Sequence, residues 1–120
     1  MHYLAWFELG RTELLRAAGV AYSEIEQEGV MLPVSNVEIE YRSPVGYDGT
    51  VDVYTRVSRV RSRTVTFSYL AARAETGEAL ATGSTQLVCT NPQGRPRRIP
   101  PHLLAVLESL LDADFDWPDS

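Results

Sequence analysis

The sequence predicts an α+β domain: a long helix first, then an antiparallel sheet of at least four strands, then a short closing helix. Three observations carry this. Tyr3, Leu4, Phe7, Leu14, Leu15 and Ala18 recur at the three-and-four spacing of one helical face. Four later segments alternate apolar with polar residues, the period of a strand with one wet face. Leu103, Leu104, Val106, Leu107, Leu110 and Leu111 return to helical spacing behind Pro100 and Pro101. At 120 residues the chain is long enough for one modest core. Residues 1–112 are expected to form that single domain, with an acidic tail over 113–120.

The first helix is expected over Tyr3 to Ala18, stopped by Gly19 as a C-terminal glycine. Its start lacks a capping residue, since only Met1 and His2 precede Tyr3. A helix of this quality without a cap points to a preceding segment outside this sequence. Tyr22 to Glu28 reads as a short helical turn, with Ser23 as cap, Glu26 as its capping-box partner and Gly29 as its end. Pro33 turns the chain extended. Val37, Ile39 and Tyr41 then alternate with Glu38, Glu40 and Arg42 in a first strand. Ser43 to Gly49 is a turn-rich connection to a second strand, which carries Val51, Val53, Thr55 and Val57 on one face. Arg59 to Arg63 is a charged connection. Val65, Phe67, Tyr69 and Ala71 line one face of the third strand, and Thr76-Gly77 signals a hairpin. Ala79 to Thr90 is the fourth strand, and Asn91 to Arg98 a Pro/Gly/Arg loop before the last helix. In the tail, Phe115 and Trp117 are the groups able to dock.

With 44% hydrophobic and 22% charged residues, the composition is that of an ordinary soluble globular protein. A net charge of −5 argues against a nucleic-acid partner. No apolar run approaches the roughly 20 residues that span a bilayer, and no signal peptide is evident, so a cytoplasmic location and no membrane partner are expected. The single Cys89 fits a reducing compartment and, within an apolar strand, reads as packing rather than as a nucleophile. All 11 basic residues are arginine, so any phosphate would be held by guanidinium forks or by backbone N–H groups. His2 and His102 lie far apart and Cys89 has no Cys-x-x-Cys partner, so no metal site is expected. No Gly-rich phosphate loop appears, and no cofactor is expected.

A helix followed by consecutive antiparallel strands can hide the sheet's apolar face only by wrapping the helix, as hot-dog, cystatin-like and NTF2-like folds do. The segments YLAWFELGRTELLRAAGV, GVMLPV and EIEYRSPVGYDG decide among them. With the later VSRVRSRTVTFSYLAARAETGEALATGSTQLVCTNPQGRPRRIP, they resemble the 4-hydroxybenzoyl-CoA thioesterase and YbgC-like acyl-CoA thioester hydrolase family over residues 2 to about 105. The resemblance implies a hot-dog fold, an acyl-CoA substrate hydrolysed to a carboxylic acid and coenzyme A, and assembly as a homodimer or homotetramer. The family's motif Asp-x-Asp-x-x-Gly-Val-Val-Tyr-His-x-x-Tyr-Leu ends at a Tyr-Leu that corresponds to Tyr3-Leu4. Its catalytic aspartate would therefore fall upstream of Met1, and the family's first edge strand with it. A late start codon, a shortened chain and a genuine loss are all compatible with this. A non-catalytic hot-dog module that binds an acyl or coenzyme A ligand, or only assembles, is the alternative function.

Thioester hydrolysis needs a base or nucleophile beside the carbonyl carbon and donors aimed at the developing oxyanion. With the aspartate position outside the sequence, the catalytic residue is unknown; Glu8 is the weak candidate within it. Arg11 stands three positions from Glu8, so an internal Glu–Arg pair explains both. By the resemblance, Arg61, Ser62 and Arg63 contact the coenzyme A phosphates, a task that suits guanidinium forks. Arg59 belongs to the same run, and Arg95, Arg97 and Arg98 form a second cluster that fits the nucleotide end. Tyr3 and Leu32, with Trp6 and Met31, suit an acyl pocket or plain core.

Overall fold

A computed structural model describes residues 3–42 and 49–111. The expected acidic tail, Phe115 and Trp117 lie outside the described residues, as does most of the connection that begins at Ser43. Helix α1 spans Tyr3–Ala17 and helix α2 Tyr22–Gln27. Four strands follow, β1 (Val34–Tyr41), β2 (Val51–Val60), β3 (Thr64–Arg73) and β4 (Ala79–Val88), and helix α3 (Pro101–Leu111) closes the described fold. The strands form one sheet in the order β1-β4-β3-β2 with every neighbour antiparallel. Consecutive strands β2, β3 and β4 make a meander, and β1 joins its far side along β4. This is the helix-then-sheet hot-dog plan.

Helix α1 buries one side every fourth residue: Tyr3, Phe7, Arg11 and Leu15. Leu4, expected on that face, is 51% exposed, because a fourfold stripe leaves its neighbour outside. The helix ends as its glycine predicts. Gly19 takes a φ of 88°, and the amide of Val20 donates to the carbonyl of Leu15 at 2.8 Å. The short helix α2 starts two residues earlier than its capping box implies. Ala21 is the N-cap, in extended conformation, with no side-chain capping bond. Ser23 is already inside the helix, and the Tyr22 hydroxyl accepts from Nε of Arg11 at 3.1 Å.

Val65, Phe67, Tyr69 and Ala71 are all buried on the side of β3 that faces α1. The Phe7 ring stacks on Tyr69 with centroids 4.5 Å apart and planes 8° from parallel. Phe7 also sits directly over Gly83, where a Cβ would lie 2.7 Å from its ring. Strand β2 runs further than the charged connection implies, taking in Arg59 through a bulge between Val57 and Arg59. Ile99, Leu103 and Leu107 join the same core from the α3 side. Strand β1 departs from its alternation. Val37 and Tyr41 stay 42% and 60% exposed, and only Ile39 of the apolar row is partly buried. Helix α1 packs mainly over β2 and β3 and touches the Tyr41 end of that edge through the Tyr3 ring, leaving Val34 and Val37 exposed.

Candidate functional site

The two arginine clusters are far apart in sequence and meet in the fold. Arg61, Ser62 and Arg63 form the tip of the β2–β3 hairpin, closed by the amide of Arg61 donating to the carbonyl of Thr64 at 2.9 Å. The carbonyl of Arg63 accepts from the amide of Cys89 at 2.7 Å, and that of Ser62 from Ile99 at 2.9 Å. Arg97 donates its amide to the carbonyl of Cys89 at 2.8 Å. The hairpin tip and the segment from Arg97 to Ile99 are thus stitched side by side. The intervening turn is held by Asn91, whose Oδ1 accepts from the amides of Gln93 and Arg95, both at 3.0 Å. Six of the 11 basic residues, Arg59, Arg61, Arg63, Arg95, Arg97 and Arg98, gather at this end. None of them forms an ion pair among the described residues. A protein of net negative charge therefore concentrates unneutralised guanidinium groups at one end of its sheet, a field that attracts a polyanion.

Cys89 lies beneath this cluster and is fully buried. Burial pushes its thiol above the ordinary value, against a weaker opposing pull from Arg97. A thiol held protonated and sealed from solvent is packing.

The acyl-pocket candidates divide between the two ends of the sheet. Leu32 is partly buried beside Met31, which bridges to Thr90 near the arginines. Tyr3 lies at the other end: its ring packs edge-on against Trp6 at 5.5 Å and against Tyr41 at 5.6 Å. Tyr41 pairs with Ala81, whereas Val34, the first residue of the same strand, pairs with Leu87 next to the arginine end. At about 3.3 Å per residue, the two ends of β1 stand roughly 23 Å apart. Within one chain Tyr3 and the Arg61–Arg63 tip are not neighbours. Between α1 and β2 runs a groove of about 640 Å³, lined by Trp6, Leu9, Gly10, Leu14, Val51 and Val53 among others.

Glu8 does not pair with Arg11. Its side chain is exposed, and its backbone carbonyl accepts from the hydroxyl of Thr12 at 2.9 Å. The helix pair that forms instead is Glu13 with Arg16 on the outer surface. Arg11 turns inward and is 7% exposed. Its Nε donates to the Tyr22 hydroxyl at 3.1 Å, and Nη1 donates to Tyr69 at 3.1 Å and to Thr85 at 3.4 Å. The Tyr69 and Thr85 hydroxyls share a hydrogen bond of 2.6 Å. Desolvation works against the Arg11 charge, but the hydrogen bonds and charges of Tyr69 and Tyr22 outweigh it and raise its pKa. The sequence signal was present: Arg11 falls in step with Tyr3, Phe7 and Leu15 at four-residue intervals.

With the fold and this chemistry in place, comparison with known proteins is decisive. The sequence matches the thioesterase-like superfamily across residues 1–107. The chain belongs to that superfamily. The Bacillus subtilis protein YneP is 35% identical over 68 residues, covering 57% of this chain and 49% of its own length. This chain therefore spans about half of that relative. The Escherichia coli acyl-CoA thioester hydrolase YbgC is 27% identical over 104 residues, 86% of this chain and 77% of its own. Among solved structures, the DHNA-CoA thioesterase of Staphylococcus aureus superposes with a TM-score of 0.81 at 27% identity, over 90% of this chain and 74% of that one. Among the described residues no cluster of His, Cys, Asp or Glu is arranged to hold a metal ion, and no helix is long and apolar enough to cross a membrane.

Proposed function

We propose that this protein is an acyl-CoA thioesterase, hydrolysing a thioester to a carboxylic acid and free coenzyme A. The observation that carries the reading is the convergence of Arg61 and Arg63 with Arg95, Arg97 and Arg98 at one end of a thioesterase-superfamily fold. Guanidinium forks match phosphate oxygens in geometry and charge, and Ser62 adds a hydroxyl at the hairpin tip. The named activities of YbgC and of the Staphylococcus aureus enzyme, both on coenzyme A thioesters, support the same substrate class. Apolar groups, Leu32 near the arginines and Tyr3 at the far end, take the acyl part. The open edge of β1 favours a homodimer or homotetramer, and the lone, unpaired Cys89 favours a cytoplasmic setting.

Two measurements test this. Free thiol released from benzoyl-CoA and hexanoyl-CoA reports hydrolysis, and calorimetric titration of coenzyme A reports binding. Replacing Arg61 and Arg63 together by alanine is expected to weaken coenzyme A by about 1–2 kcal/mol per lost contact, a discounted figure because both side chains are exposed. The loss should shrink as salt rises, since exposed charges are screened. Equal affinities in the two proteins would remove these arginines from the site. Binding without any thiol release would leave a coenzyme A-binding module in place of the enzyme.

A further inference from the structure

Beside the arginines, two helix ends are clasped by a single charged pair. Nε2 of His102, in the first turn of α3, lies 3.1 Å from Oε2 of Glu28, the C-cap of α2. Backbone hydrogen bonds tie both residues to the arginine end. Behind Glu28, Met31 and Thr90 each donate an amide to the other's carbonyl at 2.9 Å. The carbonyl of Gly29 accepts from Nη1 of Arg97 at 3.4 Å. Three residues before His102, Ile99 donates its amide to Ser62 of the hairpin tip. The Glu28 carboxylate is therefore held close to Arg97, yet its ion-pair partner among the described residues is His102. With the imidazole neutral, Glu28 is a fixed negative charge beside the guanidinium groups and opposes an incoming anion. With the imidazole protonated, the pair is neutral and that opposition is gone. Histidine is the side chain whose charge ordinarily changes between about pH 5 and 8, and His102 is the one histidine among the described residues. The other charged groups on the elements packed here do not titrate in that range. Arg61, Arg63, Arg95, Arg97 and Arg98 stay charged, and Glu24, Glu26 and Glu108 are of a kind ordinarily ionised above about pH 5. The Cys89 thiol is buried and pushed up.

We propose that Glu28 and His102 form a proton-sensitive counter-charge for the arginine end, which binds polyanions more tightly as His102 takes up a proton. This rests on the proposed function only in naming the natural anion as the phosphates of coenzyme A. The His102 and Glu28 side chains are 63% and 50% exposed, so the effect acts through the field and is screened by salt. A unit charge acting over about 10 Å in low salt changes affinity by about two- to fourfold.

The first probe is pyrene tetrasulfonate, whose sulfonates keep their charge across this range and whose fluorescence reports binding. It is titrated into the protein at about pH 5.5 and about pH 8, in about 10 mM salt. The wild-type dissociation constant is expected to be about two- to fourfold lower at the acid value. His102→Gln should lose most of that change and keep the weaker, alkaline affinity at both values. Any slope it retains belongs to His2 and the amino terminus. Glu28→Gln, which lacks the opposing charge, should bind at about pH 8 as tightly as the wild type does at about pH 5.5. Both side chains are exposed, so neither variant should lose the fold, and circular dichroism checks this. Equal slopes in the wild type and His102→Gln overturn the proposal. A slope that survives in about 1 M salt also overturns it, because that marks direct contact between imidazole and anion. Tetrasulfonate that does not bind removes the arginine end as an anion site, and the proposal with it. Coenzyme A is then titrated in the same way. If tetrasulfonate follows the expected pattern and coenzyme A does not bind, the counter-charge stands and the coenzyme A reading falls. If coenzyme A binds with equal slopes in all three proteins, the reverse holds.

Discussion

Tyr22 holds its phenol against the guanidinium of Arg11, and its pKa is raised because burial outweighs the opposing pull of that charge. Tyr3 is raised as well, by burial and then by Tyr41. A raised phenol keeps its proton in the folded state after the unfolded chain has released its own. The stabilisation is therefore fully present below about pH 10, the ordinary tyrosine value, and is lost as pH rises through the folded value. Thermal melts between about pH 9 and about pH 11 should show falling stability. Tyr22→Phe should flatten the alkaline slope while lowering stability at neutral pH, since Nε loses its acceptor. Parallel slopes in the two proteins would remove Tyr22 from the effect. At this scale the sequence was legible for core residues and much less so for polar ones. Phe67 and Tyr69 follow from alternation alone. Arg11 was assigned to an i, i+3 pair with Glu8 because a charged residue is ordinarily solvated. The hydroxyls that receive it come from α2, β3 and β4, and no local pattern announces a partner so distant.

Between elements, α1 comes close to β2 at a glycine. A Cβ on Gly10 would stand 2.3 Å from Oγ1 of Thr55, which is buried without a hydrogen-bond partner. Helical propensity favours alanine over glycine by roughly 1 kcal/mol, but overpacking this contact costs about 1–3 kcal/mol. Gly10→Ala is therefore expected to destabilise wild type. In a Thr55→Ala background the clash is gone, and the same substitution should become stabilising. Urea unfolding of the four proteins of this cycle measures the change of sign, and additive effects would mean that α1 does not rest on Thr55. Elements themselves were read well where apolar periodicity was strong: α1, β2, β3 and α3 all stand where their patterns put them. Boundaries set by weaker signals moved. Arg59 entered β2 through a bulge, and Ser23 fell inside α2 instead of capping it.

For the whole molecule, the exposed strand β1 governs what happens next. Its pattern looks like that of a half-buried strand, yet no periodicity tells which layer will cover it, and α1 covers β2 and β3 instead. Leu4, Val34, Val37 and Tyr41 together leave an apolar margin beside an open ladder of backbone donors and acceptors. Such an edge pairs with another strand unless it is guarded. Antiparallel pairing of β1 with β1 of a second copy would reverse the strand direction. It would bring the Val34 end of one copy, near its arginines, alongside the Tyr41 end of the other, near its Tyr3. The two ends of the candidate site, roughly 23 Å apart in one chain, would then meet across the pair. Val37→Lys places a charge in the middle of that seam, and burying an unpaired ammonium is costly. Sedimentation at micromolar concentration should show the wild type as a dimer or larger and this variant shifted toward single chains. Association should weaken by at least about tenfold, with little change in the circular dichroism spectrum. Thiol release from acyl-CoA should fall in step with the loss of assembly. A fully monomeric Val37→Lys that hydrolyses as fast as wild type would place the whole reaction within one chain and leave the distance between Tyr3 and the arginines to be spanned by the substrate alone.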